Sequence, residues 1–136
     1  MPSILNADLH CHSVVSDGTL TPEALAERAA ANGVELWALT DHDEIGGQHR
    51  AIAAARANGL KYLTGAEISI TFAGETVHIV GLGFDPDDSR LREGLRATRG
   101  GREARAREMA DGLAKVGIVG AFTAIAAWVA RRRKDR

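Results

Sequence analysis

Of three short apolar runs, at 4–12, 34–40 and 60–67, the first two end among histidines and acids and the third ends on an acid, Glu67. Two alanine-rich segments separate them, and each of these segments stops at a glycine, Gly33 or Gly59. Thr21 is placed to cap the first of them, with Pro22 at the first helical position and Glu23 favourable to the helix dipole. The spacing predicts strand, helix, strand, helix, strand, with helices at about 22–32 and 47–58. That order implies a parallel sheet joined by right-handed crossovers. The fold class is therefore α/β.

The pattern then changes. Ile68–Phe72 and Glu75–Phe84 flank Ala73-Gly74 and predict a hairpin. Asp85-Pro86-Asp87-Asp88 reads as a turn and Ser89 as the cap of a helix. Gly100-Gly101 is expected to break that helix, with a second one over 102–116 and a last one over 122–133. No linker stands out in the 136 residues, so one domain is expected over 1–136.

The formal net charge of −1 conceals an asymmetry. Residues 1–89 hold 13 acids and 4 bases, and residues 90–136 hold 5 acids and 13 bases. An acidic first part suits cations; a basic second part suits an anionic ligand or is a solvated arginine face. The single cysteine, Cys11, excludes an intrachain disulfide, and with no signal peptide at the N-terminus a cytoplasmic location is expected. The longest apolar run, 118–130, is too short to span a bilayer. It ends in Arg131-Arg132-Arg133-Lys134, as an interfacial anchor or a buried helix with a charged end would.

Chemistry gathers at the strand ends, where parallel sheets collect their ligands. In Asp8-Leu9-His10-Cys11-His12, residues two apart in an extended segment point to one side. His10 and His12 then present two imidazoles to one metal ion. Asp8 is in phase with them, as a ligand or as the orienter of a histidine. Cys11 points the other way and reads as a packed thiol. Asp17 in Ser16-Asp17-Gly18 is either a hard oxygen ligand or an Asx-turn residue. His42 in Thr40-Asp41-His42-Asp43 is a ligand candidate with Asp41 and Asp43 as orienting partners; the alternative is a capping acid beside a surface histidine. Glu67 is either a carboxylate that bridges cations or a strand-end charge, and His78 either a ligand or a cross-strand histidine. His49, within a helix, has no assigned role. Histidine and carboxylate donors without thiolates suit Zn, Mn or Fe, and six candidates exceed the needs of one catalytic zinc. More than one metal is therefore expected, as in sites for phosphoester hydrolysis.

These motifs resemble the PHP (polymerase and histidinol phosphatase) superfamily. Asp8-Leu9-His10-Cys11-His12 with Ser16-Asp17-Gly18 resembles its first motif and Thr40-Asp41-His42-Asp43 its second, while Glu67 and His78 stand where further ligands lie. The resemblance runs over about 4–118 and is nearest to small bacterial PHP phosphoesterases acting on nucleoside 3′,5′-bisphosphates and short RNA. It implies part of a distorted (β/α)7 barrel with a β-hairpin and a C-terminal helical segment, residues 85–117 resembling the subgroup's helical insert. It implies metal-activated water at two or three divalent ions (Mn, Fe or Zn) held by His10, His12, Asp17, His42, Glu67 and His78. Glu67 and His42 are the residues expected to matter most for turnover. Arg102 and Arg105 would clamp a substrate phosphate, or form an exposed helix face.

The family barrel needs more chain than 136 residues, and no histidine follows His78. The expectation is an N-terminal part of such an enzyme. One alternative is a catalytically impaired remnant or one part of a split enzyme, with an open sheet edge suited to self-association or to a C-terminal partner chain. The other is a histidinol-phosphate phosphatase or a polymerase-associated exonuclease.

Overall fold

A computed structural model describes residues 4–134, with the side chains of residues 132–134 outside that description. The opening Met1-Pro2-Ser3 and the closing Asp135-Arg136 lie outside the described residues, as do most side chains of the basic end. The elements run β1 (Ala7–Asp8), α1 (Pro22–Ala31), β2 (Leu36–Leu39), α2 (Gln48–Ala57), β3 (Lys61–Phe72), β4 (Glu75–Leu82), α3 (Ser89–Lys115) and α4 (Ala121–Lys134). The chain forms two compact units, one up to Thr98 and one from Arg99.

In the first unit the sheet order is β1-β2-β3-β4. β1, β2 and β3 are parallel, and β4 is antiparallel to β3. This curled α/β sheet is part of a barrel, as expected. α1 starts as its sequence dictates: Thr21 Oγ1 accepts the Ala24 N–H at 3.2 Å and Pro22 takes the first position. Gly33 and Gly59, both at positive φ, turn the chain out of α1 and α2 into the strands that follow.

Alanines decide the packing. Trp37 and Leu39 of β2 are fully buried against Ala26 and Ala29 of α1 and Ala51, Ala54 and Ala55 of α2. Small side chains on the helices let both lie close to the sheet, and the large residues of β2 fill the space. On the outside, Arg50 of α2 clasps Glu23 of α1 through two hydrogen bonds of 2.8 and 2.7 Å.

Two expectations are corrected. The expected division at Glu67/Ile68 is absent, because β3 is one strand with two partners in succession. β2 pairs with Lys61–Thr64 along one edge, and from Gly65 onward β4 pairs along the other. Gly65 stands at the handover, where a Cβ would come within 2.6 Å of the Leu39 carbonyl oxygen. Gly100-Gly101 does not break α3, which continues to Lys115. Each glycine costs a helix only about 1 kcal/mol, and the flanking residues favour helix. The i,i+4 pair Glu103–Arg107 at 2.7 Å adds to them.

In the second unit, Arg107 of α3 lies over the Phe122 ring of α4, 4.2 Å from its centroid. Among the described residues no helix is long and apolar enough to cross a membrane.

Candidate metal centre

Four imidazoles and two carboxylates converge at the carboxyl end of the sheet, all within the first unit. His10 and His12 follow β1, His42 follows β2, Glu67 lies in β3, His78 in β4, and Asp17 on the loop before α1. His10 Nε2 and His12 Nε2 lie 2.7 and 2.8 Å from the same atom, Glu67 Oε2, and 3.2 Å from each other. The alternation rule therefore holds, with both rings on one side. Cys11 points oppositely: its Sγ donates to the Ala38 carbonyl at 3.4 Å and accepts the Trp37 indole N–H at 3.2 Å. Burial pushes the Cys11 thiol up to about 11, against the opposing indole hydrogen bond, with the charges of Asp8 and Asp41 adding to the rise.

Asp17 reaches the cluster because its loop is tightly folded. The Ser16 and Gly18 N–H groups both donate to the Ser13 carbonyl, at 3.2 and 2.8 Å. Gly18 passes so close to His12 that a Cβ would lie 2.1 Å from the His12 carbonyl oxygen. Asp17 Oδ1 is thereby held 3.0 Å from His12 Nδ1, with Oδ2 3.9 Å from His42 Nε2. His42 Nε2 is also 3.8 Å from Glu67 Oε2, and His78 Nδ1 is 3.9 Å from Glu67 Oε1. The rings succeed one another as His10, His12, His42 and His78, with centroids 5.2, 4.4 and 4.9 Å apart.

These side chains form three groups able to hold a cation: His10, His12 and Glu67; His12, Asp17 and His42; His42, Glu67 and His78. His12, His42 and Glu67 each belong to two of them. Imidazole and carboxylate donors of this kind fit divalent cations. A second observation agrees: among the described residues, the one buried side-chain nitrogen or oxygen without a hydrogen-bond partner is His42 Nδ1. Burial pushes the Glu67 carboxyl up, but the His10 hydrogen bond and the rings of His42, His10 and His12 outweigh it and hold the group below its ordinary range. For Asp17 too, burial is outweighed, by the His12 hydrogen bond, the nearby His42 and His12 rings and the Ser16 hydroxyl.

The expected orienting acids act differently. In the extended segment after β2, His42 faces the cluster, so its neighbours face away from it. Asp41 is buried and accepts the Ser13 N–H, the Ser13 hydroxyl and the Ser16 hydroxyl, each at 2.7 Å. It thus fixes the loop that carries Asp17 and does not orient the His42 ring. Asp43 accepts the Ser69 N–H at 2.7 Å. Asp8 accepts the His10 backbone N–H at 3.4 Å, not a ring nitrogen, and belongs to none of the three groups. Arg102 and Arg105 are exposed on α3, in the second unit. His49 meets Asp87 at 3.0 Å, outside the cluster.

Three residues that support the site escaped the sequence reading. Ser13 and Gln48 are fully buried, and Ser69 touches His78. Gln48 shares the i, i+3, i+7 stripe of Ala51 and Ala55, a signal that an inward-facing polar group stood there. Ser69 is two residues from Glu67 in a strand, hence on the same face.

The PHP domain family matches residues 8–118. A 3′,5′-nucleoside bisphosphate phosphatase of Chromobacterium violaceum is 49% identical over 123 residues, which is 90% of this chain and 43% of that protein. A 5′-3′ exoribonuclease of Haemophilus influenzae is 46% identical over 115 residues, 85% of this chain and 42% of that one. A solved structure from Bifidobacterium adolescentis, described as a metal-dependent phosphoesterase, superposes with a TM-score of 0.72 at 34% identity, over 85% of this chain and 40% of its own. The chain thus spans less than half the length of the curated relatives it matches.

Proposed function

The chain belongs to the PHP domain family, and from that premise we propose that it hydrolyses a phosphoester of a small nucleotide or short oligonucleotide with the help of divalent cations. One observation carries the proposal: six side chains from four separate stretches of the chain meet in three groups that share members and could each hold a cation. The relatives named for nucleoside bisphosphates and for RNA support the substrate class. Of the divalent ions, Mn, Fe and Zn suit mixed imidazole and carboxylate donors best, and the free thiol of Cys11 suits the cytoplasm.

His10, His12, Asp17, His42, Glu67 and His78 would hold the cations. Bound divalent cations supply Lewis acidity, offsetting the charge on the phosphoryl oxygens. The chain's own residues do the rest. Glu67 offers Oε2 to His10, His12 and His42 and Oε1 toward His78, so one carboxylate joins two ligand groups. Asp41 keeps the Asp17 loop closed through Ser13 and Ser16.

A second reading rests on the share of the relatives that the chain spans: a chain that binds cations without turnover, as part of a larger or split enzyme. Two measurements separate the readings. Elemental analysis of the Mn-loaded, gel-filtered chain should give two or more ions per chain. Nucleoside 3′,5′-bisphosphate and short 5′-phosphorylated RNA should be hydrolysed, and histidinol phosphate left intact. Glu67→Gln and His42→Ala should each lower turnover about 100-fold or more, the scale expected when an electrostatic contact to the reacting group is lost, with the fold retained. Retained turnover in either variant would overturn the ligand assignment, and loaded but inert protein would favour the second reading.

A further inference from the structure

The site has a support that the six ligand candidates do not include. Beyond Leu39, β2 no longer pairs with β3, yet the backbone of β3 on that side stays satisfied. Residues 41–43 continue alongside: the Glu67 N–H donates to the Asp41 carbonyl at 3.2 Å, and the Asp43 N–H to the Glu67 carbonyl at 2.9 Å. At Asp43 the chain turns away with φ at +50°, a left-handed conformation in which Asp is among the tolerated residues. The next N–H on that edge, that of Ser69, has no backbone acceptor left to meet. The buried Asp43 carboxylate accepts it at 2.7 Å.

This has a consequence on the other side of β3. Ser69 and His78 are directly opposed in the β3–β4 ladder. Since the Ser69 N–H points to Asp43, the pair is one of those that exchange no backbone hydrogen bonds, and in such pairs the side chains stand closer. Ser69 Oγ lies 3.2 Å from His78 Nδ1. The half-exposed His78 ring also meets the His42 ring edge-on, at 4.9 Å between centroids, and the Ser69 hydroxyl is the group within hydrogen-bond distance of its Nδ1.

We propose that Ser69, itself held by Asp43, is a positioning residue that fixes the His78 ring within the His42, Glu67 and His78 group. The inference rests on the cation-binding reading above. Metal-binding histidines are commonly steered through the ring nitrogen that does not ligate; with Nδ1 taken by the Ser69 hydroxyl, Nε2 would be the nitrogen left to the cation, and losing such a partner typically costs 10–100-fold in affinity. A serine does this without adding charge to a group that already holds one carboxylate.

The test is calorimetric titration of Mn into the chelator-stripped full chain. Wild type, Ser69→Ala and Ser69→Thr are compared, and circular dichroism and melting of the stripped proteins are recorded alongside. The expected result is about a tenfold or greater loss of affinity for one ion in Ser69→Ala, with unchanged melting, and recovery in Ser69→Thr, which restores the hydroxyl. Wild type that binds Mn and Ser69→Ala that binds it identically would overturn the inference alone. Failure of Ser69→Thr to recover would do the same, because it would assign the loss to the strand and not to the hydroxyl. A wild-type chain that takes up no Mn would overturn the parent reading and this inference with it.

Discussion

Gln48 is the best place to test how the fold supports the site. It opens α2, is fully buried, and inserts between the carboxyl end of β2 and Gly65 within β3. Its Nε2 donates to the Leu39 carbonyl at 3.1 Å and to the Gly65 carbonyl at 2.8 Å. Its Oε1 accepts the Tyr62 hydroxyl at 2.8 Å and the Gly65 N–H at 3.3 Å. One amide thus closes the gap left where β3 changes partners, immediately before His42 and Glu67. Gln48→Met keeps the volume, so the cavity term is small and the polar term is isolated. The half-buried Tyr62 hydroxyl and the buried Gly65 N–H lose their acceptor, and the Leu39 and Gly65 carbonyls lose a donor. At roughly 1–3 kcal/mol for each of the two donors left without an acceptor, the variant should lose at least about 2–6 kcal/mol, a large share of the ~5–15 kcal/mol that holds a domain together. Tyr62→Phe alone should cost about 1 kcal/mol. The double variant has no orphaned hydroxyl, so it should be more stable than the sum of the single losses predicts, by about 1 kcal/mol or more. Urea titrations followed by circular dichroism give these values as midpoint shifts at constant slope. Loss below about 1 kcal/mol in Gln48→Met, or additivity within ~0.5 kcal/mol, would refute the assignment of Gln48 as the polar plug between the strands.

Two further outcomes follow from charge and burial. The Arg50 hydrogen bonds hold the Glu23 carboxyl at about 2, below its ordinary 4.5. A depressed carboxylate contributes stability above its unfolded value and loses it as the pH falls through the folded one. Both side chains are nearly half exposed, so Arg50→Met should cost only about 0.2–1 kcal/mol at pH 7. The gap from wild type should close between pH 4.5 and 2, and urea midpoints that stay apart at pH 2 would contradict the pairing. The Cys11 thiol, raised to about 11 by burial, is thiolate at pH 8 only to roughly one part in a thousand. Its reaction with an aromatic disulfide reagent should be about 100-fold slower or more in the folded chain than in urea, and equal rates would contradict its packing against Trp37 and Ala38.

Local chemistry was legible in the sequence and partner exchange was not. The Thr21-Pro22 start of α1, the glycine stops and the same-side placement of His10 and His12 each depend on a few neighbouring residues, and all appear where the sequence puts them. The continuity of β3 depends instead on where β2 ends and β4 begins, contacts separated by many residues. The glycine pair in α3 misled for a related reason: a propensity of about 1 kcal/mol per residue is small beside the sum over a 27-residue helix. At the site, residue types announced the ligands, because histidines and acids at strand ends are conspicuous. Their supports are a glutamine on an alanine helix and serines in a loop and a strand. Nothing in their identity marks them until the topology shows which backbone groups would otherwise lack a partner.

The sharing of ligands among the three groups bears on how such a site would fill. His10, Asp17 and His78 each serve one group, whereas His12, His42 and Glu67 each serve two. A cation in the group of His10, His12 and Glu67 would neutralise the Glu67 carboxylate and fix His12, and both effects reach a neighbouring group. Like charge raises the cost of a second ion, while an already ordered ligand lowers it. Interaction between like charges a few ångströms apart falls steeply as the local dielectric rises. The edge of this cluster is wet, with the Asp17 and His10 side chains 66% and 55% exposed, whereas the Glu67 side chain is 9% exposed. Repulsion is therefore screened least around Glu67, where ordering also gains most. The shared carboxylate is the atom pair on which the balance turns, which is why Glu67→Gln should disturb two groups when His10→Ala disturbs one.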